Sequence, residues 1–214
     1  MERRVELTLS AGMIRSASTW LYNALRLLML HKIGRSDQFS CGWIGDLHKI
    51  PKVQNMLIKV HNFDQKLINQ SCLVFYSYRD IRDALASNAR KFGVRPTVQL
   101  ADSLVSQHNK WMEVADYSLK YEFMVKNKGV VISEIAKKIG VMEGDYTDIA
   151  GKIDRMSYED DGPKNKSYHE VNLFHKGHKT DGRHGSWHHI VDDELERKIL
   201  ERHYDWFKKN GYLS

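Results

Sequence analysis

Three short stretches of the chain carry side chains that could do chemistry. Arg15, Ser16, Ser18 and Thr19 put a cation and three hydroxyls side by side, Lys59 and His61 stand two residues apart, and Arg79 follows a β-favouring run. A cation and hydroxyls beside the first N–H groups of a helix form an anion site, because the helix dipole turns its positive end there. Histidine has the ordinary pKa that suits proton transfer at neutral pH, whereas a lysine ammonium stays charged and stabilises negative charge. Together these groups could bind an oxyanion, stabilise a leaving group and take a proton from a nucleophile. A phosphate is the natural tenant of the first stretch. It is not a Walker A loop, since GxxxxGK[ST] is absent and no lysine precedes the helix.

The elements that must position these residues follow from periodicity. Val5, Leu7 and Leu9 alternate with polar residues as a strand does, and Ser10, Ala11 and Gly12 are expected to break it. Ser18 or Thr19 is the expected N-cap of a helix on which Trp20, Leu21, Ala24, Leu25 and Leu28 recur at helical spacing. Residues 31–52, broken by Gly34, Gly42, Gly45 and Pro51, read as an irregular lid or substrate-facing region. Strands are expected at 53–61, 72–78 and 117–121, the second of them β-favouring throughout, as a strand buried on both faces should be. Helices are expected over 79–93, 97–116, 131–141, 145–156 and 192–210, the last with Leu195, Ile199, Tyr204 and Phe207 inward and Gly211 as C-cap. The polar segment 157–184 reads as a long mobile loop, or one ordered by a ligand.

Strands alternating with helices imply a single α/β domain, residues 1–214, with a central parallel sheet flanked by helices. Ligands of such sheets sit at the carboxyl ends of the strands. Arg15, His61, Arg79 and Tyr121 each follow an expected strand.

Composition narrows the partners. The chain has 214 residues and a net charge of +6, with no dense basic run. That excess favours a small polyanion such as a nucleotide over nucleic acid. Cys41 and Cys72 do not make a disulfide framework, which suggests a reducing, cytoplasmic setting. No signal peptide and no membrane span are expected, since the apolar stretch at 21–30 is short and carries Arg26.

These pieces, in this order, resemble the sulfotransferases that use 3′-phosphoadenosine 5′-phosphosulfate (PAPS). RSASTW at 15–20 is similar to the family's 5′-phosphosulfate loop, usually KSGTTW, and YRDIRDALAS at 78–87 to its 3′-phosphate motif. IKVH at 58–61 matches the K-x-H element of the catalytic base. KYEFM at 120–124 and MSY at 156–158 are similar to the elements beside the adenine, and DGRHGSW at 181–187 to the late glycine-rich closing segment.

The resemblance implies a P-loop NTPase-like sulfotransferase fold and sulfuryl transfer from PAPS to a hydroxyl or amine, with 3′-phosphoadenosine 5′-phosphate (PAP) as product. It implies that Arg15 takes the lysine position at the leaving-group phosphate and that Ser16, Ala17, Ser18 and Thr19 form the 5′-phosphate loop. Trp20, Tyr121 and Tyr158 would contact adenine, and Arg79 and Ser87 would hold the 3′-phosphate. Gly182 and Arg183 would close the site, a better continuation to Trp187 than Lys176-Gly177. His61 would be the general base beside Lys59, losing activity below about pH 6 as an ordinary imidazole protonates. Because Ala17 stands where the family has glycine, the loop is expected to avoid positive φ there. The acceptor would be a small molecule, a glycan or a lipid, and no metal is required. The histidines His169, His175, His178, His184, His188 and His189 are irregularly spaced and lack a metal motif. Two other readings stand beside this one: a nucleotide kinase-like phosphotransferase, and a non-catalytic basic protein that binds nucleotides or polyanions.

Overall fold

A computed structural model describes residues 5–141, 146–177 and 182–213. Five strands, β1 (Glu6–Gly12), β2 (Phe39–Trp43), β3 (Asn55–Val60), β4 (Ser71–Tyr78) and β5 (Tyr117–Lys120), form one sheet in the order β2-β3-β1-β4-β5. Every pairing in it is parallel. The expected α/β architecture is therefore present, and its two faces follow from the period-2 alternation of strands. Met56, Ile58, Val60, Val74 and Tyr76 point to one face and pack with α3 (Ile81–Phe92), α4 (Val98–Val114) and α8 (Asp193–Lys209). Leu57 and Phe75 point to the other, against α1 (Ser18–Ile33) and α6 (Lys128–Lys138). Short helices α2 (Gln65–Ile68), α5 (Tyr121–Lys126) and α7 (Thr147–Arg155) complete the element order.

Several expectations are corrected. Ser10, Ala11 and Gly12 do not break β1; they stay in the ladder, with Gly12 opposite Ser77. Small residues are needed there because a Cβ on Gly12 would lie 2.5 Å from Ser18 Cβ and 2.6 Å from Ser77 Oγ. The stretch 31–52 is not simply irregular, since it contains the edge strand β2 between short 3₁₀ turns. Tyr204 is not inward but 54% exposed. A break in helical geometry at His203, with φ −124°, rotates the last turns of α8 so that Trp206 and Phe207 are buried instead. Asn210 occupies the C-cap, with Gly211 one residue beyond at positive φ.

The segment 157–177 is folded onto α1 by side-chain hydrogen bonds rather than lying open. Buried Asn172 donates to the Ser157 carbonyl at 2.9 Å and to Asp160 at 3.0 Å, and its own carbonyl accepts from Asn23 of α1 at 2.7 Å. Buried His169 accepts from the N–H groups of Val171 and Asn172 through Nδ1, and its Nε2 reaches the Asp161 carbonyl. Each polar group in this network has a partner, which is what permits burial without a desolvation penalty. The network places Leu173 at φ +58° and turns the next two residues toward the sheet edge.

Candidate active site

All five strands run the same way, so the residues after β1, β3, β4 and β5 converge at one edge of the sheet. A cavity of about 860 Å³ opens there. Arg15, Lys59, His61, Arg79 and Tyr121 line it, joined by Ala17, Ser18, Thr19, Trp20 and Ser87.

The loop between β1 and α1 is shaped by backbone as much as by side chains. Arg15 and Ala17 both take positive φ, 60° and 61°. Ala17 thus adopts the conformation expected to be avoided, a strain of roughly 1–2 kcal/mol for a residue with a Cβ, tolerated where the surroundings over-determine it. Left-handed residues on either side of Ser16 curl the chain into the kind of concavity that gathers N–H groups around an anion. Ala17 itself is the N-cap of α1, without a side-chain cap, so neither Ser18 nor Thr19 plays that part. Both are instead in the first turn of α1 and line the cavity. Ser16 does not line it: its hydroxyl is turned into the fold, 2.7 Å from the Met13 carbonyl and 2.9 Å from Ser77 Oγ. Its side chain fastens the loop to β4 rather than facing a phosphate.

Lys59 and His61 lie beside this turn, on the neighbouring strand. Lys59 follows Leu57 onto the α1 face of the sheet, where Nζ donates to Thr19 Oγ1 at 2.8 Å. Burial, and secondarily the Arg15 guanidinium, lowers its pKa to about 7. His61 Nδ1 is 2.6 Å from the Gly12 carbonyl, a contact that requires the proton on Nδ1 and leaves the lone pair on Nε2. Trp43 sits beside the ring, at 5.3 Å between centroids, and Trp111 Nε1 donates to the His61 carbonyl at 3.1 Å. Burial first, then Lys59, pushes the imidazole down to about 3. At that value His61 keeps its neutral form at pH 6 in the free protein, so protonation of this ring does not by itself account for the expected loss of activity there.

Arg79 is buried. Its guanidinium lies 4.1 Å over the Tyr121 ring, donates to the carbonyls of Arg15 at 3.3 Å and Arg183 at 3.4 Å, and pairs with Asp83 at 3.4 Å. Its neighbour Asp80 does not pair with it. Asp80 caps α3 and binds Arg82, which also reaches Glu196, the Tyr212 carbonyl and the rings of Trp187 and Phe207. Ser87 Oγ accepts from Arg15 Nε at 3.0 Å, so the 15–20 and 78–87 stretches touch directly. Burial and the nearby Arg79 charge bring Arg15 down to about 10. A cation lowered by a like charge in this way is stabilised by an incoming anion.

The closing segment reaches the cavity through Gly182 and Arg183, not through Lys176 and Gly177. Tyr121 donates to the Gly182 carbonyl at 2.6 Å, and at φ +66° a Cβ on that glycine would meet the phenol at 3.1 Å. The Gly185 N–H donates to Asp83 at 2.9 Å. Trp187 is buried against Ala86 and Val191 rather than in the cavity. Tyr158 lies outside the cavity lining, and its hydroxyl is bound to the Asn165 carbonyl at 2.9 Å. Apolar contact at Trp20's end of the cavity comes from Met124 and Ile153 instead. His178 and Asp181 lie outside the described residues.

Sequence reasoning missed Phe92, Phe174 and His175 as lining residues. Phe92 ends α3 five residues beyond Ser87, out of helical phase with it, and nothing in the local pattern pointed to any of the three. A ligand-type cluster also escaped it: Asp83, Glu122 and His184 bring donor atoms within 4.8 Å of one another. Asp83 already accepts from Arg79 and Gly185 there. A second cavity of about 590 Å³, lined by Trp43, Ile44, Phe63 and Leu67, meets the first at His61.

No family model matches the sequence, and no curated protein matches it. The fold does have solved counterparts. Mouse sulfotransferase SULT7A1 complexed with PAP is similar over 96% of this chain and 84% of that one, with a TM-score of 0.67 and 16% identity. Retinol dehydratase in complex with androsterone and inactive cofactor PAP is similar over 97% and 82%, with a TM-score of 0.64 and 13% identity. The same enzyme with retinol and PAP gives 0.57 at 14% identity. The chain has the sulfotransferase fold.

Proposed function

We propose that residues 1–214 form a sulfotransferase domain that moves a sulfuryl group from PAPS to a hydroxyl or amine. The observation that carries this reading is one cavity, in that fold, whose walls hold the Arg15–Thr19 turn, the Lys59–His61 pair and the Arg79–Ser87 pair together. The residues present also fit the nucleotide: Arg79 Nε and Trp20 Nε1 are buried without a hydrogen-bond partner among the described residues, both on side chains that line the cavity. When bound, PAPS supplies the sulfuryl group and departs as PAP.

The chain's own groups divide the remaining work. The 15–19 turn and the start of α1 hold the 5′-phosphate, with Arg15 and Lys59 offsetting the charge that develops on the leaving oxygen. Arg79 and Ser87 hold the 3′-phosphate, and Trp20 packs on the base. His61 Nε2 takes the acceptor's proton, its orientation set by the Gly12 carbonyl. An imidazole this depressed is a weak base in the free protein, but the negative charge of the seated nucleotide raises both it and Lys59. The acceptor approaches from the second cavity, across Trp43 and Phe63, because His61 is common to both. The acceptor is a small molecule or an exposed group on a glycan or lipid. Among the described residues no helix is long and apolar enough to cross a membrane.

Calorimetry with PAP and ADP tests the reading. PAP should bind at least about tenfold tighter, about 1.4 kcal/mol. Equal affinities would remove the 3′-phosphate site and with it the case for PAPS.

A further inference from the structure

The long segment after α7 delivers one reactive side chain to the reacting end of the cavity. His175 lines that cavity together with Lys59 and His61. Its charge is felt by His61, and its own imidazole feels Lys59 and Arg15. The ring is placed by neighbours rather than left loose: Tyr168 lies 5.6 Å and Phe92 6.1 Å from it between centroids, Tyr168 and His175 form an isolated bridge, and the Ser167 backbone hydrogen-bonds the ring. The buried Asn172 and His169 fix the turn immediately before it, with the Phe174 N–H donating to Asn172 Oδ1 at 3.0 Å. A polar network of that completeness under a half-buried histidine holds a side chain that would otherwise be as well placed in water.

We propose that His175 is an acceptor-orienting residue: it hydrogen-bonds the nucleophilic hydroxyl or amine of the acceptor and holds it in line with the sulfur while His61 Nε2 removes the proton. The proposal rests on the sulfuryl-transfer reading above. In the step it serves, the acceptor oxygen or nitrogen forms a bond to sulfur, the bond between sulfur and the phosphate oxygen breaks with its electron pair going to PAP, and the acceptor proton passes to His61. Two imidazoles approach the nucleophile from two structurally independent elements, β3 and the 157–177 segment. One therefore takes the proton and the other sets direction.

The test uses PAP and p-nitrophenol as probes. PAP affinity is measured first, then the affinity of p-nitrophenol for the PAP-saturated protein, then exchange between PAP and p-nitrophenyl sulfate. His175→Phe keeps the ring packing against Tyr168 and Phe92 but cannot hydrogen-bond, whereas His175→Gln keeps hydrogen-bonding capacity. His175→Phe should leave PAP affinity unchanged, lower Tm only slightly through the lost Ser167 hydrogen bond, weaken p-nitrophenol binding at least tenfold and slow exchange by a similar factor or more. His175→Gln should recover most of both. Equal p-nitrophenol affinity in wild type and His175→Phe, including none in either, overturns the proposal. So does a parallel loss of PAP affinity, which would make His175 part of the nucleotide site. A wild-type protein that binds no PAP overturns the sulfuryl-transfer reading and this proposal with it, an outcome visible in the first measurement alone.

Discussion

The two halves of the cavity are built by different means. On the sheet side, Arg15, Lys59, His61 and Arg79 stand at the ends of parallel strands whose register is fixed by backbone ladders, Ser10 opposite Lys59 and Gly12 opposite Ser77. On the other side, His175, Gly182 and Arg183 belong to irregular chain, held by Asn172, His169, Tyr121 and Asp83. The first half is positioned by repetitive hydrogen bonds that tolerate many side chains. The second depends on a few individual polar residues, each of which must be satisfied. Binding of the phosphates should thus resist substitution outside the lining residues, whereas acceptor handling should be sensitive to substitutions well away from it.

The sharpest way to break this contrast is at His61. If the sheet half carries the proton transfer, His61→Asn should lower turnover by about 10²–10⁴-fold while PAP affinity changes little. Near-normal turnover on a true acceptor would transfer the base role elsewhere, with Lys59 the nearest candidate, its pKa already lowered to about 7.

Arg79→Ala should come next in size, because it removes the buried cation that contacts both halves at once, through the Arg15 and Arg183 carbonyls. The preference for PAP over ADP should shrink from tenfold or more to near unity by calorimetry, with far-ultraviolet circular dichroism unchanged. A retained preference would move the 3′-phosphate away from α3.

Proton linkage gives an effect of comparable size. In the free protein Lys59 loses its proton above about pH 7, and a polyanion favours the charged form. PAP binding should therefore take up a proton above that pH, and its affinity should fall by up to about tenfold per pH unit above 7. The unfolded lysine keeps its proton to 10.5, so the same shift makes stability rise as pH increases from 7 to 10.5. Lys59→Met should flatten both slopes, and a slope that persists in the variant would belong to another group.

Asn172→Ala probes the loop half. It strips partners from the Phe174 N–H and from Asp160, and a buried group left unsatisfied costs about 1–3 kcal/mol. A drop in Tm of about 2–4 °C for each kcal/mol is expected for a chain of this size. Acceptor binding should weaken while PAP affinity holds, and equal losses of both would show that the halves are not separable. The smallest effect is expected at Tyr204, where Tyr204→Ser should change stability by no more than about 0.5 kcal/mol. A larger loss would put the ring back in the core.

The chain alone determined the architecture and the sheet half of the site. Alternation in 5–9, the continuous β-favouring run at 72–78 and the helical runs between them report local burial, and residues at strand ends inherit a common edge from parallel topology. Arg15, His61, Arg79 and Tyr121 were readable for that reason, whereas Lys59 and Ser87 were singled out only by the family resemblance. Tertiary structure decided what depends on several elements at once. Only it shows that Ala17 takes a left-handed conformation and that Ser16 turns inward to Ser77. Tyr158 is spent on Asn165, and the break at His203 swings Tyr204 outward. It alone also brings Phe174 and His175, far along the chain and in no periodic element, to the cavity that His61 lines. Periodicity records which face of an element is buried. It carries no information about where an irregular segment is tied down, because that is set by single side-chain hydrogen bonds between residues distant in sequence.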